Sequence, residues 1–215
     1  DDAAGLAISS RMTSQIRGLG AAISNANDAI SMVSTAEGAL DEITAMMQRM
    51  RELAVQSGTG TTSAADRTYM NSEFVALREE IDRIADNTQW NGQNILDGSA
   101  GASTGKSTVA FQVGANEKQP ISTSFGNVNN TTGHMSGLAS TRLSAATIAS
   151  AAIVASNAIT RLDNTIADVS AQRATLGAIS NRLTHAVDNL PNVKTNTEAS
   201  RTRIMDTDYA AATSE

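Results

Sequence analysis

The residues best equipped for chemistry are scattered along this chain. The two histidines, His134 and His185, lie in different regions, and neither stands in a His-Glu-x-x-His pattern that would seat a metal. The neighbouring acids Glu79-Glu80 and Asp206 with Asp208 read as solvated charge, because no nucleophile–base spacing accompanies them. Cysteine is absent, which removes thiol chemistry and disulfide staples and leaves the redox compartment open. No catalytic group, metal site or cofactor site is therefore expected. What remains is chemistry of contact, concentrated in Gln48-Arg49-Met50-Arg51-Glu52-Leu53-Ala54-Val55-Gln56-Ser57. Arg49 offers a planar fork of donors, and Leu53 an apolar anchor beside it. The plainer reading of Arg49, Arg51 and Glu52 is solvated charge near a helix C-terminus, where cations meet the helix dipole favourably. Met46, Met47 and Met50 read as packing residues.

The elements that must position these residues are long. From Ile8 the apolar residues step by three or four, through Met12, Ile16, Leu19, Ile23, Ala26, Ile30, Val33, Glu37, Leu40, Thr44, Met47, Met50 or Arg51, and Ala54. This is one heptad-like stripe, weakened at Glu37 and Thr44, with Ile43 and Met46 beside it. A helix of about 50 residues would be roughly 75 Å long. It should stop at Gly58-Thr59-Gly60. A second helix is expected after Ser63, where Ser63-Ala64-Ala65-Asp66 approximates a capping box, with a stripe of Met70, Phe74, Leu77, Ile81 and Ile84. Arg78, Glu79, Asp82 and Arg83 lie off that stripe and read as solvated. Asn91-Gly92 and Asp97-Gly98 are turn pairs. Ser107–Val113 and Pro120–Phe125 read as a hairpin that needs a helix to lean on. A third long helix is expected from about Thr141, with a stripe of Ile148, Ala152, Ala155, Ile159, Leu162, Ile166, Val169, Arg173, Leu176, Ile179, Leu183 and Leu190. Pro191 should end or kink it near Asn189, since an interior proline removes a hydrogen bond and costs ~3 kcal/mol or more.

Composition supports the same architecture. The 215 residues include one Trp, two Tyr and three Phe, so the core must be thin and built from Ala, Ile, Leu, Val and Met. The net charge of −6 leaves no basic footprint for nucleic acid. No apolar run approaches the ~20 residues a membrane span needs, and the opening acids are unlike a signal peptide. The expected fold class is mainly α: an elongated bundle of long antiparallel helices with a small β-hairpin-containing excursion. Residues 1–96 form the two-helix N-terminal half of the rod, 97–140 a short variable β/loop segment, and 141–215 the long C-terminal helix with its tail.

The Arg49–Ser57 segment, the opening Asp1-Asp2-Ala3-Ala4-Gly5-Leu6-Ala7-Ile8-Ser9 and the closing Ser200-Arg201-Thr202-Arg203-Ile204-Met205-Asp206-Thr207-Asp208-Tyr209 together resemble bacterial flagellin. Asn91-Gly92 to Gly98, Phe111-Gln112-Val113-Gly114-Ala115 and Leu176–Leu183 are similar to further family segments. The resemblance covers nearly the whole chain and is weakest over 99–137. It implies a self-assembling, secreted, extracellular subunit of the bacterial flagellum, made for motility, whose partners are other flagellin subunits. It further implies a flagellar export chaperone, bound through a C-terminal segment beyond this chain. Flagellins of the type sensed by the vertebrate Toll-like flagellin receptor carry matching contact residues, which fall here on Arg49, Leu53, Gln56 and Glu73. On that basis Arg49→Ala and Leu53→Ala should each weaken receptor binding without unfolding the chain. Asp1–Leu6 matches only the tail of the epitope sensed by plants, which implies little plant recognition.

Three other roles fit parts of the pattern. A surface protein that holds a polysaccharide or host surface would want more aromatic stacking residues than Trp90, Tyr69, Tyr209 and three Phe supply. A chemoreceptor-like signalling rod would turn through a tight helical hairpin, unlike the Gly/Asn-rich 97–140 segment. A hook–filament junction protein is nearer, but Arg49–Ser57 fits filament subunits better. Residues 97–132 are rich in hydroxyls that could take O-linked sugars, and Asn129-Asn130-Thr131-Thr132 contains N-x-Thr arrangements; both equally serve loop solubility. Flagellins extend beyond both Asp1 and Glu215, through segments that polymerise. The 215-residue chain is accordingly expected to stay monomeric or weakly associated in solution, and long filaments sedimenting from it alone would overturn that expectation.

Overall fold

A computed structural model describes residues 3–100, 108–129 and 134–212. The order of elements is helix α1 (Ala3–Ser57), α2 (Ala64–Asn87), strands β1 (Gln89–Trp90), β2 (Gln93–Asn94), β3 (Thr108–Gln112) and β4 (Pro120–Ser124), a 3-10 turn at Ser136–Leu138, and α3 (Ile148–Ala212). The protein is mainly α, with long helices and small two-stranded sheets. Asp1, Asp2, Ser107 and Asn130-Thr131-Thr132 lie outside the described residues, as do the side chains of Asp208 and Tyr209.

Two compact units are present. One draws on the chain up to Met32, on Ala110–Ser122 and on Ala178 onward; the other on Val33–Val109 and Thr123–Gly177. In the first unit, α1 buries Ile16, Leu19, Ala22, Ala26, Ala29 and Met32, while α3 buries Ile179 and Leu183. Asn25 Nδ2 donates to the Gln112 carbonyl at 3.0 Å, and Arg201 Nη1 donates to Thr13 Oγ1 at 3.3 Å. In the second unit, the buried face of α1 runs Val33, Ala36, Leu40, Ile43, Met47, Met50, Leu53 and Ala54, and that of α3 runs Ala151, Ala155, Ala158, Leu162, Val169 and Leu176. Arg173 Nη2 meets Asp41 Oδ1 at 2.8 Å, and Arg51 Nε meets Asp163 Oδ1 at 2.6 Å. Each step forward along α1 is thus matched by a step back along α3, which makes the pair antiparallel in this unit.

The stripe read from the sequence is close, with a consistent offset. Ala22, Ala29 and Ala36 take the centre of the seam, and Ile23, Ile30 and Glu37 sit half-buried beside it. Thr44 is buried because its hydroxyl donates to the Leu40 carbonyl at 2.7 Å, one turn back. Of the α2 stripe, Phe74 and Ile81 are buried, while Met70, Leu77 and Ile84 are intermediate. Arg78, expected in solvent, is half-buried and donates through Nη1 to the Ala139 carbonyl at 2.8 Å.

Two local signals explain where the first elements stop and turn. α1 ends at Ser57, where a Cβ on the following Gly58 would stand 2.9 Å from the Ala155 methyl. Asn91 and Gly92 take φ of 50° and 76°, the left-handed pair that closes a two-residue hairpin, and Gln89 and Trp90 face Asn94 and Gln93 across it. β3 and β4 pair within a residue of the expected bounds at the described positions.

The third helix corrects one expectation and narrows another. It starts at Ile148 rather than about Thr141. Residues 141–147 are held as a connector: Leu143 N donates to Asn71 Oδ1 at 2.8 Å, and Thr141 and Leu143 are buried. The start is marked by a reciprocal cap, with Ser150 N donating to Thr147 Oγ1 and Thr147 N to Ser150 Oγ, both at 3.2 Å. Of the two outcomes expected at Pro191, an end or a kink near Asn189, the end does not occur, because the helix is continuous through the proline. Residues 191–193 are exposed, so water can reach the backbone around the missing N–H.

The capping box at Ser63 is formed in full. Asp66 N donates to Ser63 Oγ at 3.1 Å, and Ser63 N to the Asp66 carboxylate at 3.2 Å. Hydrogen bonds from the Ser63 hydroxyl and then its backbone N–H hold the Asp66 carboxyl below its ordinary value. A lowered folded value means that the contribution is present above the ordinary aspartate range and is lost as pH falls through the depressed one. Ser63→Ala should cost about 1 kcal/mol in urea unfolding at neutral pH. The gap to wild type should narrow on acidification below about pH 4, and equal urea midpoints at pH 7 would refute the assignment.

Candidate functional site

Arg49 and Leu53 leave α1 on neighbouring turns, Gln56 follows at its last turn, and Glu73 faces them from the middle of α2. These four line one groove of about 470 Å³, together with Thr61, Thr62, Asp66, Tyr69 and Met70. The capping box therefore does more than start a helix: it fixes the loop and the first turn that form one wall.

Arg49 is held at two points. Its Nε donates to Glu73 Oε1 at 2.9 Å and its Nη1 to Glu52 Oε2 at 3.0 Å. The hydrogen bond that the guanidinium donates to Glu73, and next the one it donates to Glu52, raises it above the ordinary arginine value. Arg49 and Glu73 are each about half exposed, at 48% and 47%, so water screens the pair. What the pair gives is orientation: Nη2 is left without a partner among the described residues.

Leu53, read from the sequence as an apolar anchor beside Arg49, lines the groove from inside the helix packing. It is 2% exposed and forms part of the groove floor, because the buried face of α1 is wide enough here to include both Leu53 and Ala54. Gln56 is exposed, and its backbone carbonyl accepts from Thr62 Oγ1 at 3.1 Å.

The sequence did not show the part that Tyr69 and Asp66 play in the groove, nor the support that Arg67 gives from behind it. Tyr69 stands 74% exposed at the rim, one turn before Glu73. Asp66 was read only as a cap. Arg67 is almost fully buried and donates to the backbone carbonyls of Thr62 at 2.6 Å and Ala145 at 3.3 Å. It thereby ties the wall of the groove to the 141–147 connector. Its position directly after a helical cap, in line with Phe74 and Ile81, was the available signal.

The other chemistry-bearing residues stay apart. His134 Nδ1 lies 3.5 Å from Asp168 Oδ2, and His185 is exposed on α3. Among the described residues no group of three or more His, Cys, Asp or Glu side chains is arranged to hold a metal. Glu80 pairs with Arg83, whose hydrogen bond lowers the carboxyl. At Asp97 burial pushes the carboxyl up, but hydrogen bonds from the Ser99 hydroxyl and N–H and from Asn94 more than offset it, leaving it lowered. No described helix is long and apolar enough to cross a membrane.

Comparison with known proteins bears on what this groove belongs to. A family model described as the bacterial flagellin N-terminal helical region matches residues 1–101, and one described as the bacterial flagellin C-terminal helical region matches residues 159–215. A flagellin of Halalkalibacterium halodurans is 45% identical over 210 residues, covering 98% of this chain and 72% of that protein. A flagellin of Bacillus subtilis is 40% identical over 234 residues, covering 100% and 77%. The crystal structure of Bacillus cereus flagellin superposes with a TM-score of 0.63 at 31% identity, covering 78% of this chain and 88% of that one. A flagellar hook-associated protein structure from Vibrio parahaemolyticus reaches a TM-score of 0.74, but its 14% identity speaks to fold alone.

Burial separates the two α1 residues of the groove. Leu53→Ala should destabilise by about 2–5 kcal/mol, as a buried large-to-small change does. Arg49→Ala should leave the thermal midpoint close to wild type. Melting curves of the two variants that coincide would show that the groove floor is not packed as described.

Proposed function

The chain belongs to the bacterial flagellin family and is a structural subunit of the flagellar filament; within that role we propose that it works outside the cell, with its helical faces against other flagellin subunits, and that its Arg49 groove is the surface read by a vertebrate Toll-like flagellin receptor. The family is one of structural proteins. Its work is assembly: long helices offer apolar seams and exposed charges to neighbours, and burial of one with pairing of the other sets register.

The observation that supports the receptor reading is the clamp on Arg49. Two carboxylates hold the guanidinium in one orientation while Nη2 stays unengaged among the described residues. A partner that meets a pre-oriented donor loses less side-chain entropy on binding. Glu52, Glu73 and Asp66 outnumber the single guanidinium around the groove, so the occupant must bring donors of its own as well as an acceptor for Arg49. Leu53 contributes by supporting Arg49 from below, and its truncation would act through packing.

In cells reporting through the receptor, Arg49→Ala should raise the half-maximal concentration by roughly tenfold or more, as loss of an interface arginine does. Arg49→Lys should recover little, since it keeps the charge and loses the fork. Unchanged potency of Arg49→Ala, in a protein that melts like wild type, would overturn the receptor reading and leave the filament role untouched.

A further inference from the structure

A second concavity, of about 270 Å³, lies in the unit formed by Val33–Val109 and Thr123–Gly177, where the 139–147 connector meets the opening turns of α3. Its lining includes Ser140, Arg142, Ser144, Val154, Asn157 and Arg161. It holds two guanidinium groups and no carboxylate. Arg161 donates through Nη1 to the Gly137 carbonyl, and Arg78 reaches the Ala139 carbonyl from α2, so the chain entering the connector is held by two helices. Arg142 is exposed and has neither hydrogen-bond nor ion-pair partner among the described residues. It differs in this from Arg49, Arg51, Arg83 and Arg173, each of which carries a carboxylate of the same chain.

The sign of this hollow is opposite to that of the molecule. The chain has 22 acidic and 16 basic residues and a net charge of −6. Glu42, Asp86 and Asp188 are exposed and carry no ion pair among the described residues. We propose that the hollow receives an exposed carboxylate of a second copy of this chain when subunits pack into the filament. The proposal rests on the filament role and names one of the contacts that role requires. The chemistry is complementary. A guanidinium fork takes a carboxylate through parallel N–H donors, and the Ser140 and Ser144 hydroxyls and the Asn157 amide can donate to its remaining lone pairs. A cup on one copy and an acid on another form a heterologous contact, which propagates instead of closing on itself.

The test uses filaments sheared from cells that carry Arg142→Glu in the native gene, dissociated to monomers and re-polymerised beside wild type. The critical concentration of Arg142→Glu should rise at least roughly tenfold, as loss of a desolvated charge pair does, with the thermal midpoint of the monomer unchanged. Arg142→Gln should give a smaller rise, and added NaCl should erode the wild-type advantage. Assembly of Arg142→Glu at the wild-type concentration and with the wild-type salt dependence would overturn the proposal. Failure of wild-type monomers to polymerise in the same assay would instead strike the filament role itself.

Discussion

The structure depends on how closely its long helices can approach. With one Trp, two Tyr and three Phe in 215 residues, bulk cannot fill the space between helices, so the space must be small. Ala22, Ala26 and Ala29 set that distance in one unit; Ala36 and Ala54 from α1, with Ala151, Ala155 and Ala158 from α3, set it in the other. A buried alanine adds little apolar area compared with a leucine. The seam is therefore stabilised by its length and by the leucines, methionines and isoleucines set between the alanines. The flanking ion pairs, Arg51 with Asp163 and Arg173 with Asp41, can form across this seam only because the helix backbones lie near each other.

Most of this was legible because it rests on local rules. The Ser63 capping box and the Asn91-Gly92 turn each follow from a residue type that one backbone geometry favours, while the α1 stop at Gly58 follows from small size beside Ala155 and the β3–β4 hairpin from apolar alternation. What was missed required knowing the neighbours. Reading the seam through Ile23 and Ile30 gives weight to large apolar residues; the helix pair instead centres Ala22 and Ala29, because close approach selects for small volume. Extending the α3 periodicity backwards gives too early a start, because the reciprocal cap of Thr147 and Ser150 places the first helical residue at Ile148.

The groove was half legible for a related reason. Arg49, Leu53, Gln56 and Glu73 were carried over by resemblance and do fall together. That Leu53 is floor and not surface depends on how wide the buried face of α1 becomes once both α2 and α3 pack against it. No one-dimensional stripe contains that width. Nor does sequence show that Arg67 is satisfied by two backbone carbonyls from separate segments, since carbonyls carry no residue identity.

Pro191 has a consequence for how α3 comes apart. A proline inside a continuous helix removes one rung from the ladder of backbone hydrogen bonds, at the carbonyl of Val187. Helical opening proceeds from rung to rung, and stability within a protein is divided into cooperative stretches. The residues after Pro191 can fray while those before it, anchored by Ile179 and Leu183, keep their ladder intact. The proline thus acts as a firebreak: it confines unwinding to one stretch of α3.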